Sequence, residues 1–206
     1  MLEPSRRITP TRWSSGTFPY YDDDRNPQRV FLRGVIGALD TPRTVAPGAM
    51  LDYLPYERTF EKNENGLAVT SRLYAPLEPA IVSGLWETLP VHLRAHDKQE
   101  ATQVAVLARG KWIAVPPGTS PDAAEPQQDI TIENTETIRL TRFGHSVDIH
   151  LDRPRRVHVA GTIWPGAYQM RDNIRNVRIS LVDRQEKPVT ITTPLTLQYE
   201  IRPAPP

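Results

Sequence analysis

Twenty-one prolines are scattered through 206 residues, about twice the usual share, and they limit what this chain can fold into. Each one deletes a backbone donor and fixes φ, so long helices and uninterrupted central strands are both disfavoured. Short strands joined by long, ordered, extended connections remain. Apolar residues make up 38% of the chain, which predicts a modest core with much irregular chain around it. At this length roughly 70% of the unfolded surface can still be buried, so no covalent staple is needed.

The hydrophobic rhythm between the prolines has a period of two. Val177, Ile179 and Leu181 alternate with Arg178, Ser180 and Val182, and Leu195, Leu197, Tyr199 and Ile201 alternate with Thr196, Gln198 and Glu200. That spacing places one set of side chains on a core face and the other outward. The polar run Asp183 to Pro188 separates the two stretches and predicts a strand–turn–strand unit. Further strands are predicted at Arg29–Leu39, Tyr56–Phe60, Gly66–Tyr74, Val91–His96, Thr102–Ala108 and Lys111–Val115. Four more follow at Asp129–Glu133, Thr137–Phe143, Ser146–Leu151 and Val157–Ile163. The Asn65-Gly66 pair marks a tight turn. Ala80–Thr88 reads as one helical turn, confined by Pro76, Pro79 and Pro90. The expected fold is all-β: an antiparallel β-sandwich or jelly-roll-like barrel carrying an extended N-terminal arm. Residues 1–28 form that arm and residues 29–206 the domain, with a possible sub-boundary at the proline-rich stretch 116–126.

Charge and composition exclude several function classes. Twenty-five basic and 24 acidic residues are closely intermixed, leaving a formal charge of +1 and no global field for nucleic acid or an anionic membrane. The absence of cysteine rules out disulfides, iron–sulfur clusters and thiolate zinc sites. No run reaches the ~18 apolar residues of a spanning helix, and no signal-peptide core is evident, so a soluble chain is expected.

Histidines and carboxylates are the candidate groups for metal binding or catalysis. On the stretch Ser146–Leu151, Asp148 and His150 face away from Val147, Ile149 and Leu151. Across a presumed turn at Asp152–Arg156, His158 lies opposite Val157 and Val159. Asp148, His150 and His158 thus offer a two-histidine, one-carboxylate set, but no ligand-spacing motif supports it and a hairpin's solvent face accounts for it. His92 with His96, and the run Asp22-Asp23-Asp24, are read as solvated groups on the same grounds. Arg153, Arg155 and Arg156 form a compact basic turn suited to surface ion pairs, without the interleaved aromatics of a single-strand binding platform. No nucleophile elbow or phosphate loop is present. No enzyme activity, metal, cofactor or small-molecule substrate is therefore expected.

Residues 173–191 followed by Pro194–Ile201 resemble the closing hairpin of jelly-roll minor capsid and penton-like virion proteins, over about thirty residues. The resemblance implies a structural component of a virus or phage particle: a minor capsid, penton, decoration or tail protein located in the virion. Its expected partners are further copies of itself and neighbouring virion proteins. Trp13, Phe18, Tyr20 and Tyr21 would be the anchors, because aromatics in an otherwise polar arm carry burial energy that solvent would waste. The rival expectation is a β-sandwich binding module that recognises carbohydrate or protein through loops bearing Trp86, Trp112 or Trp164.

Overall fold

The computed structural model describes residues 13–20, 29–38, 54–73, 80–82, 85–91, 101–120, 122–165, 173–183 and 189–205. Among them every regular element is a strand and the strand ladders are antiparallel, so the chain is all-β and antiparallel. None of the described residues forms a helix long and apolar enough to cross a membrane. Two compact units are present, residues 1–85 with 181–199 and residues 86–180 with 200–206.

In the first unit the strands are β1 (Trp13–Tyr20), β2 (Arg29–Ala38), β3 (Leu54–Asn63), β4 (Gly66–Leu73) and β5 (Ala80–Val82). β1 to β4 pair in order, β1 with β2, β2 with β3 and β3 with β4, while β5 pairs with β13 (Val189–Ile191). The β3–β4 hairpin closes through Glu64-Asn65, where the Asn65 amide donates to Asn63 Oδ1 at 2.9 Å. Gly66 follows at φ +148°, a backbone setting that favours a residue without Cβ. Val69, Ser71 and Leu73 alternate inward on β4, and the Ser71 hydroxyl accepts from Arg58 Nε at 3.2 Å.

In the second unit lie β6 (Leu85–Val91, less its first residue), β7 (Gln103–Ala108), β8 (Lys111–Val115), β9 (Ile130–Arg142), β10 (His145–Val159), β11 (Trp164–Pro165) and most of β12 (Asn173–Val182). The strands run in the order β10-β9-β7-β8, and β10 also pairs with β12, which pairs with β6 and β11. The β7–β8 and β9–β10 hairpins turn on two residues each, Arg109-Gly110 and Phe143-Gly144, all four with φ between 51° and 73°. Consecutive positive φ values give the turn whose twist matches that of the flanking strands. One face of the sheet buries Val104, Val106, Ala108, Ile138, Ile149, Val157, Val159, Val177 and Ile179. Fully burying a side chain of this size stabilises the fold by about 1.5–3 kcal/mol.

Three sequence expectations change here. The described residues of the expected helical turn at 80–88 are strand: they form β5 and the start of β6, where Leu85, Glu87 and Val91 are buried while Thr88 and Pro90 are exposed. The four strands expected between 129 and 163 are two long ones, because Asn134 at φ 55° and register shifts around Arg155 absorb the breaks as bulges. Among the described residues the two strands of the expected closing hairpin do not pair with each other. β12 pairs with β10, β11 and β6, whereas β14 (Leu195–Pro203), which follows β13 (Val189–Ile191), pairs with β4 and β10.

The proline-rich stretch after β8 is held within the second unit by Arg175, which is only 2% exposed. Its Nε donates to the Ala160 carbonyl and its Nη2 to the Pro116 carbonyl, both at 2.8 Å. Thr119 adds a parallel bridge to Thr162, with its amide on the Gly161 carbonyl at 2.9 Å. Burial pulls the Arg175 pKa below its ordinary value, partly offset by the charge of Asp129.

Candidate functional site

The outward face of β8, β7, β9 and β10 is built in rows by the strand registers. Trp112, Leu107, Thr137 and His150 form one row. Ala114, Ala105, Arg139 and Asp148 form the next, and Gln103, Thr141 and Ser146 a third. These residues alternate with the core set because successive side chains on a strand point to opposite sides.

Arg139 and Asp148 face each other across the β9–β10 ladder and meet as a planar fork. Arg139 Nε reaches Asp148 Oδ1 and Nη2 reaches Oδ2, each at 2.7 Å. The Asp148 side chain is 4% exposed and that of Arg139 is 28% exposed. Two short charge-assisted bonds compensate the buried carboxylate for lost water. They also raise the Arg139 pKa above its ordinary value, against the opposing effect of its own desolvation.

Arg139 leans back across β7, and its Cζ lies 4.5 Å from the centroid of the Trp112 ring. Strands β8 and β9 are two sheet spacings apart, roughly 10 Å, so both long side chains span the intervening strand. On β7 the cross-strand partner of Arg139 is the small Ala105 and that of Trp112 is Leu107. Even with the guanidinium stacked on it, Trp112 is 46% exposed. Beside this stack, Thr137 Oγ1 pairs with His150 Nδ1 at 3.2 Å and Thr141 Oγ1 with Ser146 Oγ at 2.7 Å. The result is a half-exposed indole under a fixed guanidinium, with the hydrogen-bonded Thr137, His150, Thr141 and Ser146 side chains beside it.

The metal set weighed from the sequence does not assemble. The presumed turn at Asp152–Arg156 lies inside β10, so His150 and His158 sit eight residues apart along an extended strand, roughly 25 Å. Asp148 is committed to Arg139, and His158 Nδ1 pairs with Thr131 Oγ1 at 2.8 Å. Among the described residues no group of three histidines and carboxylates is placed to hold a metal ion. In the basic stretch, Arg155 binds Asp152 at 2.9 Å and Arg156 binds Glu133 at 2.6 Å.

Of the tryptophans expected on loops, Trp112 stands on β8 and Trp86 on β6. Trp86 packs edge-on to His158, with ring centroids 6.2 Å apart, and its Nε1 is buried without a hydrogen-bond acceptor. Trp164 is on β11, paired in backbone register with Ile174. Trp13, Phe18 and Tyr20 lie on β1, whose backbone pairs with β2 of the same chain, whereas Tyr21, His92 and His96 fall outside the described residues. Arg139, Thr137 and Ala105 were not singled out from the sequence. The available signal was the alternation of Thr137, Arg139 and Thr141 on one side of a strand.

No protein-family model matches the chain, and no curated protein does. Among solved structures the chain is similar to a galactose mutarotase-like protein from Lactobacillus casei ATCC 334, at 13% identity over 89% of this chain and 73% of that one, with a TM-score of 0.44. It is also similar to a protein from Escherichia coli K12 named as a candidate aldose 1-epimerase, at 13% identity over 91% of this chain and 69% of that one, with a TM-score of 0.43. Neither is a virion component. The virion structural role, the virion location and the non-enzymatic status expected from the sequence are corrected accordingly and set aside. The strands thought to make a closing hairpin belong to different pairings of this chain's own sheets.

Proposed function

We propose that the outward face of β8, β7, β9 and β10 binds a carbohydrate. The observation that carries this reading is the Trp112–Arg139–Asp148 stack: a half-exposed indole beside a guanidinium locked in one plane. A pyranose ring has an apolar C–H face and a rim of hydroxyls. An exposed tryptophan suits the first and fixed planar donors suit the second. Strands position such groups more rigidly than loops do, which lowers the ordering cost on binding.

The test is a titration of the intact protein with a panel of methyl glycosides, followed by tryptophan fluorescence and by ligand-observed NMR. At least one glycoside should bind, and Trp112→Ala should weaken that binding by about tenfold or more, the loss typical of an aromatic anchor. Binding that is indifferent to Trp112, or no binding across the panel, overturns the reading.

A further inference from the structure

From the arrangement of Arg139 we infer that the face selects neutral sugars presenting two adjacent hydroxyls over their acidic counterparts, and that Asp148 is the residue that sets this preference. The inference rests on the carbohydrate reading above and narrows it to a ligand class.

A guanidinium carries five N–H donors in a fixed plane. Asp148 takes one from Nε and one from Nη2, which uses the side edge of the plane. The end edge, made by Nη1 and the second hydrogen of Nη2, makes no bond to any described residue. Nη1 is not among the buried unpaired atoms either, so it reaches the surface. Two parallel N–H groups on that edge match the oxygens of a vicinal diol, as they match those of a carboxylate.

Charge separates the two ligands. The Arg139 cation is already neutralised by a carboxylate whose side chain is 4% exposed. An acidic sugar on the end edge would place a second carboxylate across the same guanidinium, two like charges sharing one cation in a partly desolvated setting. Like charges at such range disfavour each other's ionised form. A diol accepts the same two hydrogen bonds without that repulsion. The stacked indole adds a contact that is indifferent to ligand charge and holds the guanidinium plane in place.

Asp148 is therefore a specificity-determining residue that acts through Arg139. Asp148→Asn keeps the shape and one acceptor for the fork but leaves the Arg139 charge uncompensated. The variant should gain affinity for acidic sugars. Arg139→Lys keeps the charge and removes the planar edge, so it should lose discrimination between a sugar and its deoxy analogue.

The experiment compares methyl glycosides of glucose, galactose and mannose with the matching methyl uronosides, by NMR titration at pH 7 and low salt, for the wild-type chain, Asp148→Asn and Arg139→Lys. The expected result is about a tenfold wild-type preference for the neutral member of the binding pair, with the ratio falling or reversing in Asp148→Asn. A wild-type preference for the uronoside, or an unchanged ratio in a folded Asp148→Asn variant, overturns this inference and leaves the carbohydrate reading standing. Failure of every sugar to bind brings down both. If Asp148→Asn does not fold, the wild-type ratio and the response of Arg139→Lys to 2-deoxy and 3-deoxy glycosides decide it: retained discrimination in Arg139→Lys refutes the fork.

Discussion

Arg139 and Arg175 belong to the same compact unit and use one side chain in opposite ways. Arg139 is part-exposed, paired with a carboxylate and more firmly charged than an arginine in water. Arg175 is buried, donates to the Ala160 and Pro116 carbonyls, and is less firmly charged than usual. The first leaves an edge of its guanidinium at the surface. The second spends its donors on the Ala160 and Pro116 carbonyls, next to a closely packed Gly118. Placing a Cβ on Gly118 would bring it to 2.8 Å from Ile163 Cγ1 and 3.0 Å from Arg175 Nε. A buried cation can therefore be a fastening, and a half-open one with a neutralising partner a recognition element; local geometry, not residue type, decides which.

The comparison predicts that substitutions around Arg175 act on stability and substitutions around Arg139 act on binding. The largest effect is expected at Gly161, where a Cβ would lie 2.0 Å from the Gln127 carbonyl oxygen, a backbone atom that cannot swing aside. Gly161→Ala should cost at least ~3 kcal/mol, read as a lowered urea midpoint or as failure to accumulate as folded protein. Arg175→Met keeps most of the volume but removes the donors to the part-buried Ala160 and Pro116 carbonyls, and about 1–3 kcal/mol of destabilisation is expected by the same measurement. Arg175→Lys should recover part of it by retaining one donor.

Smaller effects follow on the outward face. Ala105→Leu should wedge Trp112 and Arg139 apart, costing ~1 kcal/mol or less in stability. Because Leu fills the space beneath the stack, sugar binding should fall together with the indole–guanidinium contact, which a change in tryptophan fluorescence reports. Smallest in stability is Trp112→Ala, expected within ~0.5 kcal/mol of wild type because the ring is already about half solvated. A large stability loss at Trp112, or a negligible one at Arg175, would collapse the distinction between the two arginines.

The two-residue rhythm and the proline spacing made the fold class legible, since both depend on local backbone geometry. The strand at Lys111–Val115 and most of those at 102–108 and 173–182 could be read from alternation alone. Partner choice was less accessible. β12 and β14 look like consecutive hairpin strands in the sequence, yet both turn to β10, because long-range pairing follows the complementarity of whole faces. The bulge near Arg155 was mistaken for a turn for a related reason: Arg153-Pro154 resembles a loop, while a long strand absorbs such residues by a shift in register. Of the site, Trp112 and Asp148 stand out in the sequence, but for a loop-borne binding role and a metal set. Arg139 became visible only once the registers put it opposite Asp148 and within reach of the indole.

The rows of the outward face all come from residues 103–150, arranged as two tight hairpins whose first strands, β7 and β9, pair with each other. Contacts between positions so near along the chain close early, before distant segments have met. The face should thus take shape at the beginning of folding and serve as the template on which later strands assemble. Shortening or lengthening the turns at Arg109-Gly110 and Phe143-Gly144 would slow that first step, and would lower the rate of folding while leaving the rate of unfolding nearly unchanged.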